Sequence, residues 1–69
     1  MATTRVTADF DAEAYKALNE VAELLGTTKA DAIRRALGLS RYVLKQKHNG
    51  KKLILEDEDG KDKVEIVTL

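Results

Sequence analysis

The sequence predicts a small, mainly helical protein with short β-strands that folds as a homodimer. Residues 3–10 alternate between polar and apolar side chains, which is the period of a β-strand. Two stretches with the apolar spacing of amphipathic helices follow. The chain has only 69 residues and no cysteine, so a disulfide cannot stabilise it. Oligomerisation is the remaining way to stabilise so small a core.

The predicted N-terminal strand needs a partner. An unpaired strand leaves its backbone N–H and C=O groups unsatisfied. Its apolar side is too small to form a sheet face alone, so we expect it to pair with the same strand of a second chain. The expected dimer interface consists of apolar residues from this segment and the two helices: Val6, Ala8, Phe10, Leu18, Ile33 and Leu37.

Both helices have recognisable ends. Asp11 is a typical N-cap for the first helix, and Gly26 is expected to end it. Thr28 is expected to cap the second helix, with Asp31 in the position of a capping box, and residues 49–50 to stop it. The stripes that the helices should bury are Ala14, Leu18, Val21, Ala22 and Leu25 in the first, and Ile33, Ala36, Leu37, Ser40, Val43 and Leu44 in the second.

The last part of the chain is predicted to form a β-hairpin. Strands at residues 52–58 and 61–69 flank Asp59-Gly60, a dipeptide typical of two-residue hairpin turns. The register that follows pairs Glu58 with Lys61, Glu56 with Lys63, Leu55 with Val64 and Leu53 with Ile66. The apolar face of this hairpin either packs on the end of the second helix or awaits a partner protein.

Charge is segregated along the chain although the formal net charge is zero. Residues 29–52 hold eight basic residues and one acid, whereas acids gather in residues 9–23 and 56–65. This distribution can present a positive face to phosphates. A solvated helix face rich in lysine and arginine would look the same in the sequence.

The sequence offers little for catalysis or metal binding. The single histidine, His48, is typical of an exposed residue near a helix end, and Ser40 has no base in pattern with it. The acidic run at residues 56–60 fails as a calcium loop, because Leu55 and Ile66 would occupy its first and last ligand positions. We therefore expect no enzyme, no catalytic residue, no metal site and no cofactor.

Membrane insertion and export are not expected either. No apolar run approaches the length that spans a bilayer, and the first ten residues lack the apolar stretch of a signal peptide. The sequence therefore predicts a cytoplasmic protein without a membrane partner.

A family resemblance appears in the residues that follow Gly26. Residues 27–37 read Thr-Thr-Lys-Ala-Asp-Ala-Ile-Arg-Arg-Ala-Leu, after an alternating strand and a capped helix. In this order and spacing, residues 3–44 resemble the ribbon-helix-helix repressors, the class that includes Arc and the methionine repressor. The resemblance implies an intertwined homodimer whose paired strands enter the major groove of operator DNA. Residues 1–50 would form this domain, with residues 51–69 as a hairpin extension.

The resemblance also implies two sets of DNA contacts. Base contacts are expected from the outward side of the ribbon, at Arg5, Thr7 and Asp9. The guanidinium of Arg5 can donate to guanine O6 and N7 together. Phosphate contacts are expected around the start of the second helix, from Thr27, Thr28, Lys29 and Arg34. Arg34 and Arg35 can instead pair with acids of the first helix.

Asp9 is unusual on a surface that faces DNA, because phosphates repel a carboxylate. In a ribbon centred on Thr7, Asp9 lies opposite Arg5 of the other chain, and opposite charges there favour the register. We expect Asp9 to hold Arg5 in place, with a contact to cytosine as the alternative.

The expected function is sequence-specific DNA binding by a transcriptional regulator, which in this family is most often a repressor. An antitoxin of a toxin–antitoxin pair is one alternative. A protein-interaction or dimerisation module without DNA binding is another, because Asp9, the zero net charge and the acidic tail all weaken attraction to DNA. The expected partners are operator DNA and a second copy of the chain. Higher-order assembly on DNA and a protein partner at the hairpin stay open.

Overall fold

The computed structural model describes residues 3–67 and contains two helices followed by an antiparallel hairpin. The elements are α1 (Ala12–Leu25), α2 (Lys29–His48), β1 (Leu53–Glu56) and β2 (Lys63–Ile66). This confirms a mainly helical chain with short β-strands. The chain divides into two compact units, Met1–Arg34 and Arg35–Leu69. The first contains α1 and the start of α2, and the second contains the rest of α2 and the hairpin.

The start of α1 confirms the predicted cap. Asp11 has an extended backbone, and its Oδ1 accepts a hydrogen bond from the N–H of Ala14 at 2.8 Å. This bond satisfies one of the N–H groups that a helix leaves without an intrahelical partner. Glu13 adds a negative charge in the first turn, where the helix dipole favours it.

The end of α1 depends on a left-handed residue. Gly26 has φ 65° and ψ 39°. Its N–H donates to the carbonyl of Glu23 at 3.0 Å, and the N–H of Thr27 donates to the carbonyl of Ala22 at 3.0 Å. These two bonds form a Schellman motif, which ends α1 and leaves only a short connection before α2.

The end of α2 repeats this arrangement at Gly50. The N–H of Gly50 donates to the carbonyl of Lys47 at 3.0 Å, and the N–H of Lys51 donates to that of Gln46 at 3.1 Å. The helix therefore stops at His48, as residues 49–50 predict. Its last turn is basic, which suits the negative end of the helix dipole.

The hairpin has the predicted register within shorter strands. The ladder pairs Leu53 with Ile66, Ile54 with Glu65, Leu55 with Val64 and Glu56 with Lys63. Ion pairs lie on the other face, at 3.9 Å between Lys52 and Glu65 and at 3.9 Å between Lys63 and Glu56. Both pairs are largely solvated, so they contribute little to stability.

The predicted two-residue turn at Asp59-Gly60 is wrong. The N–H of Gly60 donates to the carbonyl of Asp57 at 2.8 Å, and Asp57 N–H donates to the carbonyl of Asp62 at 2.9 Å, so the loop is wider. A two-residue type I′ turn needs positive φ at both central residues. Among the described residues only glycines have positive φ, so Asp59 does not meet this requirement. Its carboxylate instead accepts from the N–H of Lys61 at 3.0 Å.

The apolar face of the hairpin is covered only at one end. Leu53 and Ile66 are half-buried, whereas Leu55 and Val64 are 60% and 57% exposed. Leu53 lines a pocket of about 180 Å³ together with residues at the end of α2, namely Tyr42, Val43, Gln46, Lys47 and the adjoining Lys51 and Lys52. The face is therefore open to solvent at Leu55 and Val64. Packing of its other end on α2 stays a prediction.

Neither helix buries its predicted stripe within one chain. The buried apolar side chains of the described residues are Ala22, Ala32 and Val43. Ala22 and Val43 belong to the predicted stripes, but Ala32 does not. Ser40 is half-buried, and most other members of both stripes are exposed. The expected burial of the two stripes is therefore not found within a single chain, and their burial in a dimer stays a prediction.

Residues 3–10 form neither strand nor helix in the single chain, and all are exposed. The predicted strand depends on pairing with a second chain, so it stays a prediction. No helix within residues 3–67 combines the length and apolar character that crossing a bilayer requires.

We expect Gly26→Ala to lower the free energy of unfolding by about 1–2 kcal/mol. In the left-handed region the Cβ of alanine lies too close to the following carbonyl oxygen of the backbone. No neighbouring atom lies within 4 Å of an added Cβ, so the cost is conformational. Gly38→Ala is the matched control, because Gly38 lies inside α2 and an added Cβ there is also unobstructed. It should stabilise by up to about 1 kcal/mol. Urea denaturation measures the free energy of unfolding of both variants. Equal changes in the two variants would contradict a need for glycine at position 26.

Candidate nucleic-acid interface

The N-terminal segment presents the residues predicted to contact bases. Arg5, Thr7 and Asp9 are exposed, as are the apolar residues between them. Val6 is 81% exposed and Phe10 is 46% exposed. The segment thus combines polar groups available to a ligand with apolar groups that one chain leaves in water.

The Schellman turn at Gly26 determines where the predicted phosphate ligands lie. Because Thr27 takes part in the motif, α2 begins only two residues after it. The carbonyl of Thr28 accepts from the N–H of Ala32 at 2.9 Å, and its Oγ1 accepts from the N–H of Asp31 at 3.1 Å. Thr28 is therefore the N-cap of α2, as predicted.

The first turn of α2 retains free donors. In the part of the chain that the structure describes, the N–H groups of Lys29 and Ala30 have no protein acceptor. Both belong to the group of N–H donors that a helix start leaves unpaired, where the helix dipole is positive. Thr28, Lys29 and Ala30 are also exposed. The start of α2 can therefore donate hydrogen bonds to an anion.

The carboxylate of Asp31 contacts two side chains near the start of α2. Its Oδ2 accepts from the hydroxyl of Thr27 at 2.8 Å, and its Oδ1 lies 3.3 Å from Nη2 of Arg34. Thr27 is thus a donor to Asp31 and half-buried, which leaves it less available to a phosphate than predicted. The carboxylate also neutralises part of the positive charge at this helix start.

Arg34 forms an ion pair with Asp31 of its own helix. The alternative of pairing with an acid of α1 is therefore not the one formed, and the contact with phosphate stays a prediction. The Arg34 side chain is 71% exposed, so this ion pair is weak. The guanidinium can therefore exchange Asp31 for a stronger anionic ligand.

The ammonium of Lys29 is held by Tyr15 of α1. Lys29 Nζ donates a hydrogen bond to Tyr15 Oη at 2.8 Å and lies 4.8 Å from the ring centroid. The two contacts combine a hydrogen bond with a cation–π interaction. The Lys29 hydrogen bond, with a smaller contribution from its charge, lowers the pKa of Tyr15. The cation therefore has a defined position although both side chains are exposed.

Tyr15 is the residue of this site that the sequence did not identify. Its place beside an apolar stripe indicates a core or interface residue, and it lies 14 positions before Lys29. No helical or strand period connects residues so far apart. The contact forms across the connection at Gly26. The sequence predicts that α1 ends there, but this prediction alone does not say which residues of the two helices meet.

The described residues include no group of three or more histidine, cysteine, aspartate or glutamate side chains that could hold a metal ion. Comparisons of the chain with models of protein families, with curated proteins and with solved structures gave no significant match. The resemblance to ribbon-helix-helix proteins therefore depends on the sequence of residues 3–44.

We expect Lys29→Met to raise the pKa of Tyr15, because the substitution removes the hydrogen bond and the charge that stabilise the phenolate. Ultraviolet or NMR titration of the tyrosines measures the shift. Lys16→Met is the control, since it removes one charge from the residue next to Tyr15 and leaves the Lys29 contact intact. An equal shift in both variants would contradict a specific Lys29–Tyr15 interaction.

Proposed function

We propose that this protein is a ribbon-helix-helix transcriptional regulator that binds operator DNA as a homodimer. The observation that carries the proposal is the start of α2, where free N–H groups and the ammonium of Lys29 are exposed together. In the proposed complex this helix start grips a phosphate. The paired N-terminal segments then read bases in the major groove.

The apolar surface supports a dimer. The residues assigned to the interface from sequence include Val6, Phe10, Ile33 and Leu37, whose exposed fractions in one chain are 81%, 46%, 37% and 65%. Ala8 is also exposed and Leu18 is half-buried. Full burial of each large side chain contributes about 1.5–3 kcal/mol. In a dimer these residues would be buried in both chains, so each side chain would contribute this free energy once per chain.

The proposed ribbon accounts for the N-terminal segment. Exposed backbone in residues 3–10 can form an antiparallel ladder with the same residues of another chain. With Thr7 at the centre, Arg5 faces Asp9 across the pair, and the register is favoured by opposite charges. The side that carries Val6 then faces the helices, and Arg5 and Thr7 face DNA.

A protein-interaction module is the second candidate, and the hairpin favours it. Leu55 and Val64 are exposed next to an acidic loop that DNA would repel. A module of this kind would use the open half of the hairpin face to bind another protein, and an antitoxin would use the same face in addition to binding DNA. Salt-dependent binding to duplex DNA distinguishes a regulator or antitoxin from a module without DNA binding.

We expect sedimentation at micromolar concentration to give twice the chain mass of 7.6 kDa, with a melting midpoint that rises with protein concentration. Leu37→Glu should dissociate the dimer, because a carboxylate would be buried in the interface. Leu24→Glu is the control, since Leu24 is 86% exposed and lies outside the proposed interface. A folded monomer whose stability does not depend on concentration would refute the dimer.

We expect Arg5→Ala to abolish sequence preference, because one bidentate base contact contributes about 1–3 kcal/mol of discrimination. Selection from random duplexes gives the preferred site, and titrations on that site and on unrelated duplexes give the discrimination. Arg41→Ala removes the same charge from an exposed position of α2 and should keep the preference. An Arg5→Ala variant that discriminates as well as the wild type would exclude the ribbon as the reader.

A further inference from the structure

The Lys29–Tyr15 pair has more hydrogen-bonding capacity than its internal contact uses. Tyr15 Oη accepts from Lys29 Nζ, so the hydroxyl hydrogen is still available. Lys29 has two further N–H donors. Tyr15 is 47% exposed, which leaves its hydroxyl accessible to a ligand from solvent.

We infer that Tyr15 is a direct ligand of a DNA phosphate and that it binds this phosphate jointly with Lys29. The inference rests on the proposed function and adds a residue of α1 to the DNA contacts. Neither the family resemblance nor the sequence pattern assigns Tyr15 this role.

The geometry of the pair suits an anion with two adjacent oxygens. Its two donor atoms, Lys29 Nζ and Tyr15 Oη, lie 2.8 Å apart, so each can donate a hydrogen bond to a different non-bridging oxygen of one phosphodiester. The hydroxyl donates to one oxygen and the ammonium donates to the other. Both are hydrogen bonds to a charged acceptor, which are stronger than neutral ones.

The electrostatics of the pair favour donation from the hydroxyl. The same interaction with Lys29 that lowers the pKa of Tyr15 makes its O–H a stronger donor. The acid of α2 is Asp31, which already accepts from Thr27 and Arg34. Asp11 lies one turn before Tyr15, and its Oδ1 accepts from the N–H of Ala14. Both carboxylates therefore already have donors within the protein.

Tyr15→Phe in the full chain tests the inference, because phenylalanine keeps the ring over Lys29 and removes only the hydroxyl. Anisotropy titrations with a random-sequence duplex at several salt concentrations give the affinity. We expect a loss of about tenfold. The ratio between preferred and random duplexes should not change, since phosphate contacts carry no sequence information. Tyr42→Phe is the matched control, as Tyr42 is the other tyrosine and is 65% exposed, and it should bind like the wild type.

A double-mutant cycle separates joint binding from a structural role. If the two side chains bind one phosphate together, Tyr15→Phe in a Lys29→Met background should weaken binding less than in the wild type. Melting curves without DNA should be the same for Tyr15→Phe and the wild type.

Three outcomes would overturn the inference. Unchanged affinity of Tyr15→Phe, while Lys29→Met binds more weakly, removes Tyr15 from the site and leaves the proposed function intact. A loss of affinity that disappears after correction for the folded fraction shows a structural role only. Absence of salt-dependent DNA binding by the wild type overturns this inference together with the proposed function.

Discussion

The left-handed backbone of Gly26 is the constraint on which the first unit depends. It ends α1, satisfies two N–H groups through the carbonyls of the last turn, and allows α2 to start after a short connection. As a result Thr28 caps α2 immediately, and Lys29 comes within hydrogen-bonding distance of Tyr15. A longer connection would leave the same residues in the sequence without bringing them together. The proposed anion site is thus a product of one backbone conformation.

The described part of the single chain buries few apolar side chains. Ala22, Ala32 and Val43 are the buried apolar residues among those described, and two of the three are alanines. Alanine buries little surface, so these contacts alone offset a small part of the conformational entropy of folding. The larger apolar residues are placed with helical periodicity on surfaces that one chain leaves in water. Their arrangement is what a protein would have if its core formed between chains.

Local features of this fold were predictable from the sequence. Asp11, Gly26 and Thr28 act at the positions expected of them, because each effect involves only a few neighbouring residues. The hairpin register was predictable because it follows from the alternation of apolar residues on both strands.

Features that depend on competing partners were less predictable. The turn at Asp59 differs because the residue avoids positive φ and its side chain accepts a backbone N–H instead. The carboxylate of Asp31 has several possible donors nearby. The sequence does not show that Thr27 and Arg34 bind it in preference to the N–H of Thr28. The Tyr15–Lys29 contact joins two helices and so depends on tertiary geometry. The proposed N-terminal ribbon requires a second chain, and residues 3–10 form no strand in the single chain.

The contact between Lys29 and Tyr15 has a consequence for the entropy of binding. A free lysine side chain samples many rotamers, and fixing it on a ligand costs up to about 2 kcal/mol. Here the ammonium is already restrained by the hydroxyl and the ring, so part of that loss occurs during folding. An anion that arrives at this point meets a cation with fewer conformations left to lose. Such preorganisation raises affinity without any additional charge, which suits a protein whose formal net charge is zero.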